Sequence, residues 1–168
     1  MIACDARLKT ADGLPINDQQ IFACAGKLLV VNVGESKAYG QLMRHVIDHH
    51  GAELGNELEG LIVCDAEGSI VFANAAAEEI VGGIRIGVLP DDYSSMHGIF
   101  SEDERPFPSS DVPLARAVLN GESTRGARLL LRRIDGRRLL ITVNAYPLRD
   151  TSGLTVGAVT TFKVLETK

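Results

Sequence analysis

"LEGLIVCDAEGSIVFANAAAEEIVG", residues 58–82, reads as strand, turn, strand and helix within 25 residues. Leu61 to Cys64 and Ser69 to Phe72 are short β-rich runs joined by Asp65-Ala66-Glu67-Gly68, whose glycine supplies the positive φ of a tight reversal, so a hairpin is predicted. Asn74 stands where its side chain can cap a helix over Ala75 to Val81, which Gly82-Gly83 then closes. The stretch has neither a metal-ligand spacing nor a nucleophile elbow, and its work must be architectural.

The rest of the chain sets the context for that unit. Its 168 residues are 45% apolar, enough for one ordinary domain with an extension. The longest apolar runs, Leu28 to Val31 and Leu129 to Leu131, are too short to span a bilayer, and Met1 is followed by no signal-peptide pattern. A cytoplasmic, membrane-free protein is expected. Three cysteines, Cys4, Cys24 and Cys64, lack any C-x-x-C spacing and read as buried free thiols. Of 17 basic and 22 acidic residues, residues 1–124 hold 8 and 19 and residues 125–168 hold 9 and 3, which makes the second part the more electropositive.

Residues 1–35 are hard to read beyond a short hairpin of Ile21 to Cys24 and Leu28 to Val33 around Ala25-Gly26. From Ser36 to about Leu58, apolar residues recur at three and four: Tyr39, Leu42, Met43, Val46 and Ile47 form one stripe of an amphipathic helix. That stripe either packs on its own domain or joins a second copy of the chain. Residues 84–110, with Pro90, Pro106 and Pro108, read as a long irregular segment. Asp111 is placed as the cap of a helix with Pro113 in its first turn and Asn120-Gly121 at its end. Three strands follow, Ser123 to Arg133, Arg137 to Pro147 and Leu154 to Val164. The economical arrangement is an α+β fold: a five-stranded antiparallel sheet with helices on one face, preceded by an N-terminal helical extension over residues 1–56.

Three stretches, "GLIVCDAEGSIVFANAAAEEIVG", "DVPLARAVLNGE" and "LLLRRIDGRRLLITVNAYPLRDTSGLTVGAVTTFKV", together resemble a PAS domain, the sensory module of bacterial signalling proteins, over residues 57–166. The resemblance implies a module that binds a small ligand or dimerises. Such a module biases an effector outside these 168 residues: a kinase, cyclase, phosphatase or transcription regulator. Two departures stand out: Val164-Leu165-Glu166 replaces the Asp-Ile-Thr-like triplet that links the last strand to an outgoing helix, and residues 1–35 match nothing in the family.

Within that frame, alternation along the strands assigns Ile62, Cys64, Ile70, Phe72, Ile141, Val143 and Ala145 to the inward face, opposite Thr142 and Asn144. On the last strand, the resemblance implies that Thr155, Gly157, Val159 and Thr161 face the cofactor side. These residues either border a ligand pocket or fill a core in which the hydroxyls bond the backbone. The identity of any ligand is open. Flavin is not expected, because residues 84–110 hold no cysteine of the LOV type and Ile141 and Val159 occupy the strand positions where flavin binders carry polar groups. Haem is not expected either, since "DVPLARAVLNGE" has no histidine and His97 reads as a partly exposed loop residue. His45, His49 and His50 are taken as solvated, and no metal site is expected.

Arg132, Arg133, Arg137 and Arg138 bracket a hairpin tip at Ile134-Asp135-Gly136. With 5% aromatic residues and an acidic total, this is read as a solvated turn and not as a nucleic-acid surface. Neither Cys64 nor His97 has a recognisable base, orienting carboxylate or oxyanion donor beside it, so no enzyme is expected. A homodimer and a role in a two-component or similar system complete the reading.

Overall fold

The computed structural model describes residues 19–24, 27–32, 59–149 and 152–168. The chain divides into two compact units, Met1–Gly55 and Asn56–Lys168. In the first, β1 (Gln19–Cys24) pairs antiparallel with β2 (Lys27–Asn32), the hairpin expected there. The amphipathic stripe of Tyr39, Leu42, Met43, Val46 and Ile47 lies outside the described residues.

The second unit contains β3 (Gly60–Asp65), β4 (Ile70–Ala73), helix α1 (Ala75–Val81), helix α2 (Tyr93–His97), β5 (Ile99–Phe100), helix α3 (Pro113–Asn120), β6 (Thr124–Arg132), β7 (Arg138–Arg149) and β8 (Thr155–Thr167). Its antiparallel sheet has the order β4-β3-β8-β7-β6-β5. The five expected strands are all present, and the sixth, β5, is a two-residue edge that pairs Ile99 with Leu131 and Phe100 with Leu130. Among the described residues no helix is long and apolar enough to cross a membrane.

The opening hairpin folds for the reasons its sequence gives. Asp65 Oδ1 accepts from the N–H groups of Glu67 and Ser69 at 3.1 and 2.8 Å, which organises the turn before Gly68 reverses the chain. Asn74 does more than cap α1. Its Oδ1 accepts from Ala77 N at 2.8 Å and from Leu61 N at 2.9 Å, while its Nδ2 donates to Glu59 O at 3.0 Å. One buried side chain thus ties the helix N-terminus to the first strand of the sheet. At the other end of α1, Gly82 takes the left-handed conformation, and the Arg133 guanidinium donates to the carbonyls of Glu79 and Ile80. Helix α3 differs from expectation: Asp111 belongs to a preceding 3-10 turn, and the helix begins at Pro113, whose fixed φ and missing N–H suit a first helical position.

A continuous core lies between one sheet face and the helices, built from Ile62, Cys64, Ile70, Leu129, Leu131, Ile141, Val143, Ala145, Ala158 and Phe162 with Tyr93, Leu114 and Val118. Alternate strand residues, among them Leu61, Val63, Leu130, Leu140 and Val159, point to the other face and are buried as well.

Candidate functional site

The inner face of the sheet and the segment from α2 to α3 border a partly open cavity of about 60 Å³. The sheet contributes Ile62, Ile70, Leu129, Leu131, Ile141, Val143, Thr160 and Phe162, and the opposite wall is Val81, Tyr93, His97, Ile99, Val112, Pro113 and Leu114. An engineered apolar cavity of roughly 150 Å³ holds benzene, so a guest of that size enters this smaller one only if the helical wall moves.

Four residues placed inward from the sequence border this space: Ile62, Ile70, Ile141 and Val143. Cys64 and Ala145 face the same core without touching the cavity. Four others belong to the opposite face. Phe72 is displaced by a bulge at Val71: Val63 pairs with Phe72 but Cys64 pairs with Ile70, so Ile70 and Phe72 fall on opposite sides. On β8 the inward residues are Ala158, Thr160 and Phe162, in register with Cys64, Ile62 and Gly60 of β3. Gly157, Val159 and Thr161 therefore point away from the cavity, one residue out of phase with the expectation. Thr155, half-buried, lies beyond a further bulge opposite Arg149.

His97 is also relocated. It is the last residue of helix α2, lines the cavity, and is not an irregular-loop residue. Three contacts pin its helix in place: the Tyr93 hydroxyl donates to Gly68 O, Ser94 N donates to Ser109 Oγ at 3.0 Å, and Arg132 N donates to Gly98 O at 2.8 Å. Gly98 has φ +64°, and a Cβ there would stand 2.2 Å from Arg132 O, so only glycine lets the chain leave α2 this close to β6. The imidazole Nδ1 lies 3.1 Å from Tyr93 O, and since a carbonyl only accepts, Nδ1 carries the proton. In the neutral ring Nε2 then presents a lone pair, and it is buried with no hydrogen-bond partner among the described residues. Burial pushes the His97 imidazole below its usual pKa, which keeps the ring neutral. Thr160, the one hydroxyl residue in the sheet side of the wall, donates its proton to Asn144 O at 2.8 Å.

The Cys64 thiol is pushed up to about 12, first by burial, with the Tyr93 hydroxyl opposing. Burial also raises Tyr93 well above the ordinary phenol range. Both groups stay protonated near neutrality, so Cys64 is held as a thiol, not as a thiolate nucleophile. Among the described residues, no three His, Cys, Asp or Glu side chains gather where they could hold a metal ion. At the arginine-rich tip, Arg132 and Arg138 meet Glu104 at 2.7 and 2.8 Å, and Arg133 and Arg137 meet Asp135 at 3.0 and 2.9 Å. The Asp135 carboxyl is held down to about 2, chiefly by the Arg137 backbone N–H and guanidinium. Each guanidinium thus already faces a carboxylate of its own chain.

Several cavity residues were outside the sequence reading, chiefly Tyr93, His97, Ile99, Leu129, Leu131, Thr160 and Phe162. Two signals pointed to them. Pro90 and Gly98 bracket a short helical segment, and Phe162, the bulkiest side chain of the last strand, marks the face that packs against the helices.

A family model for the PAS fold matches residues 52–165. Among solved structures, the PAS domain of the fruit-fly ELK potassium channel is 10% identical, with a TM-score of 0.54, covering 71% of this chain and 96% of that one. A light-oxygen-voltage domain studied with a flavin analogue is 19% identical, with a TM-score of 0.52, covering 72% of this chain and 88% of that one. A variant of the fungal photoreceptor Vivid is 18% identical, with a TM-score of 0.52, covering 81% and 98%. No curated protein matches in sequence.

The light-oxygen-voltage domain studied with a flavin analogue overturns the expectation against flavin, because the fold of this chain is also its fold. The expectation rested on two weak points. A missing cysteine bears on covalent chemistry at a flavin and not on whether one is bound. The strand position taken as apolar, Val159, faces away from the cavity, where its neighbour Thr160 presents a hydroxyl-bearing side chain.

Proposed function

From the premise that the chain belongs to the PAS family, we propose that it is the sensory module of a bacterial signal-transduction protein, working by binding and not by catalysis. The observation that carries this reading is the apolar cavity between the inner sheet face and helices α2 and α3. Occupancy there bears directly on helix α2, which is fastened to β6 through Gly98 and to the 3-10 turn at Ser109–Asp111. A change in that wall is felt at the edge of the sheet, where an effector of the kinase, cyclase, phosphatase or transcription-regulator type could read it. A two-component system and a cytoplasmic setting accord with this role.

A second reading is favoured by the small size of the cavity, about 60 Å³: a ligand-free PAS scaffold that dimerises, with the stripe from Tyr39 to Ile47 as its contact. Native mass spectrometry of the purified chain separates the two, because it reports bound mass and subunit number together. A sensor retains a non-covalent small molecule at one per chain. A scaffold gives a dimer of bare subunits, and that result would overturn the sensor reading.

A further inference from the structure

We infer that the chain forms a homodimer by pairing the C-terminal part of β8 with itself, residues 163–167 of one copy lying antiparallel to the same residues of the other. The inference goes beyond the sensor reading and needs neither the cavity nor the stripe from Tyr39 to Ile47. It starts from Val164-Leu165-Glu166, where the sequence departs from the family triplet that leads into a helix. Here β8 continues as a strand through all three residues to Thr167. On one side that stretch is paired to β7, with Thr142 opposite Lys163 and Leu139 opposite Thr167. The other side is bare. Strand β3 starts at Gly60, opposite Phe162, and the Glu59 carbonyl just before it is held by Asn74 Nδ2. Among the described residues, none hydrogen-bonds to that side of residues 163–167. All of them are exposed, Val164 at 39% and Leu165 at 47%. A row of open N–H and C=O groups beside exposed apolar side chains is a template for another strand.

The pattern along the strand fits a second copy. Leu165 is the extra residue of a bulge, since Ile141 pairs with Val164 and Leu140 with Glu166. Lys163 therefore shares the face of Thr142, and Glu166 that of Leu140, which is the same outer face of the sheet. Without the bulge, positions three apart would point to opposite faces. In an antiparallel pair with its two-fold axis between Val164 and Leu165, Lys163 stands opposite Glu166 of the partner subunit, and Glu166 opposite the partner's Lys163. Directly opposed residues of antiparallel strands lie on one face, so the unlike charges meet, and Val164 meets the partner's Leu165 between them. Glu166 makes no ion pair among the described residues, and Lys163 reaches only Glu59, at 4.0 Å. No proline interrupts residues 163–167, so every residue keeps its backbone donor.

The test is sedimentation of the full chain and of two charge reversals, Lys163→Glu and Glu166→Lys, with folding checked by thermal melting. So short an edge makes a weak dimer, and the wild type is therefore followed into the millimolar range. Each reversal sets like charges opposite each other twice in the dimer and should weaken it about tenfold. In an equal mixture of the two variants, the heterodimer regains both pairs of unlike charge. The mixture should therefore dimerise at a concentration where neither variant does alone. Amide exchange within residues 163–167 should slow as the wild-type concentration rises. Should a variant fail to fold, the wild-type exchange decides the matter alone. A wild type that stays monomeric, reversals that dimerise like the wild type, a mixture no better than its components, or amides that gain no protection would each overturn the inference. These outcomes leave the pocket untouched, since native mass spectrometry tests that reading by bound mass.

Discussion

Replacing Asn74 by alanine tests how the first strand and helix α1 are joined. The change removes three hydrogen bonds and leaves the N–H groups of Leu61 and Ala77 unpaired inside the protein. A stranded buried donor costs about 1–3 kcal/mol, and the Ala77 bond is also the helix cap, worth about 1 kcal/mol. Taking that cap as one of the two donors, the expected loss is about 2–4 kcal/mol, a large part of the 5–15 kcal/mol by which domains are usually stable. With a urea m-value near 2 kcal/mol/M, the midpoint should fall by roughly 1–2 M. Asn74→Asp keeps the accepting oxygen and forfeits only the donation to Glu59 O, so it should lose less than half as much. Urea unfolding followed by tyrosine fluorescence gives the free energies, and amide exchange should show lost protection at Leu61 and Ala77. An alanine variant within 1 kcal/mol of wild type would refute the assignment of Asn74 as the tie between strand and helix.

Two further substitutions probe other parts of the same unit. Arg133→Ala removes the guanidinium that closes the C-terminus of α1 on the Glu79 and Ile80 carbonyls, with a side chain only 12% exposed. It should destabilise by about 1–2 kcal/mol in urea unfolding, whereas Arg137→Ala, whose exposed guanidinium meets Asp135, should have little effect. Equal losses would remove the capping role. The folded state holds the His97 imidazole below its ordinary value of 6.5 by burial. Above that pH both folded and unfolded chains are neutral at His97; as pH falls below it, the unfolded chain takes up a proton that the folded chain refuses, so stability falls with acidification. Urea midpoints from pH 8 to 5 (about the window of histidine titration) should decline less steeply in His97→Phe than in wild type. Parallel declines would place the acid sensitivity elsewhere.

The architecture was legible where one local cause dominated. The Asp65 to Gly68 turn, the Asn74 cap and the Asp135-Gly136 reversal each rest on a side chain or glycine with a strong local preference, and they lie where the sequence places them. The facing of side chains was less legible. Residues Gly157 to Phe162 of β8 are buried without interruption, so the strand has no polar-apolar alternation from which to read its phase. Ile70-Val71-Phe72 is apolar throughout, so a plain period of two puts Ile70 and Phe72 on one face, yet the bulge at Val71 separates them, and no glycine or proline marks it. Helix α2 spans only Tyr93–His97, too few residues to show a helical period, which hid His97 from the cavity it borders.

The central claim is that open, apolar space exists between the inner sheet face and helices α2 and α3. Xenon enters dry apolar cavities, and its effect on nearby methyl resonances reports the site directly. Under xenon pressure the methyls of Ile62, Ile70, Ile141 and Val143 should shift, while those of Val63, Leu130, Leu140 and Val159, on the other face of the sheet, should stay in place. If the first set does not move, or if both sets move alike, the interior is filled at this position and the sensor account is contradicted.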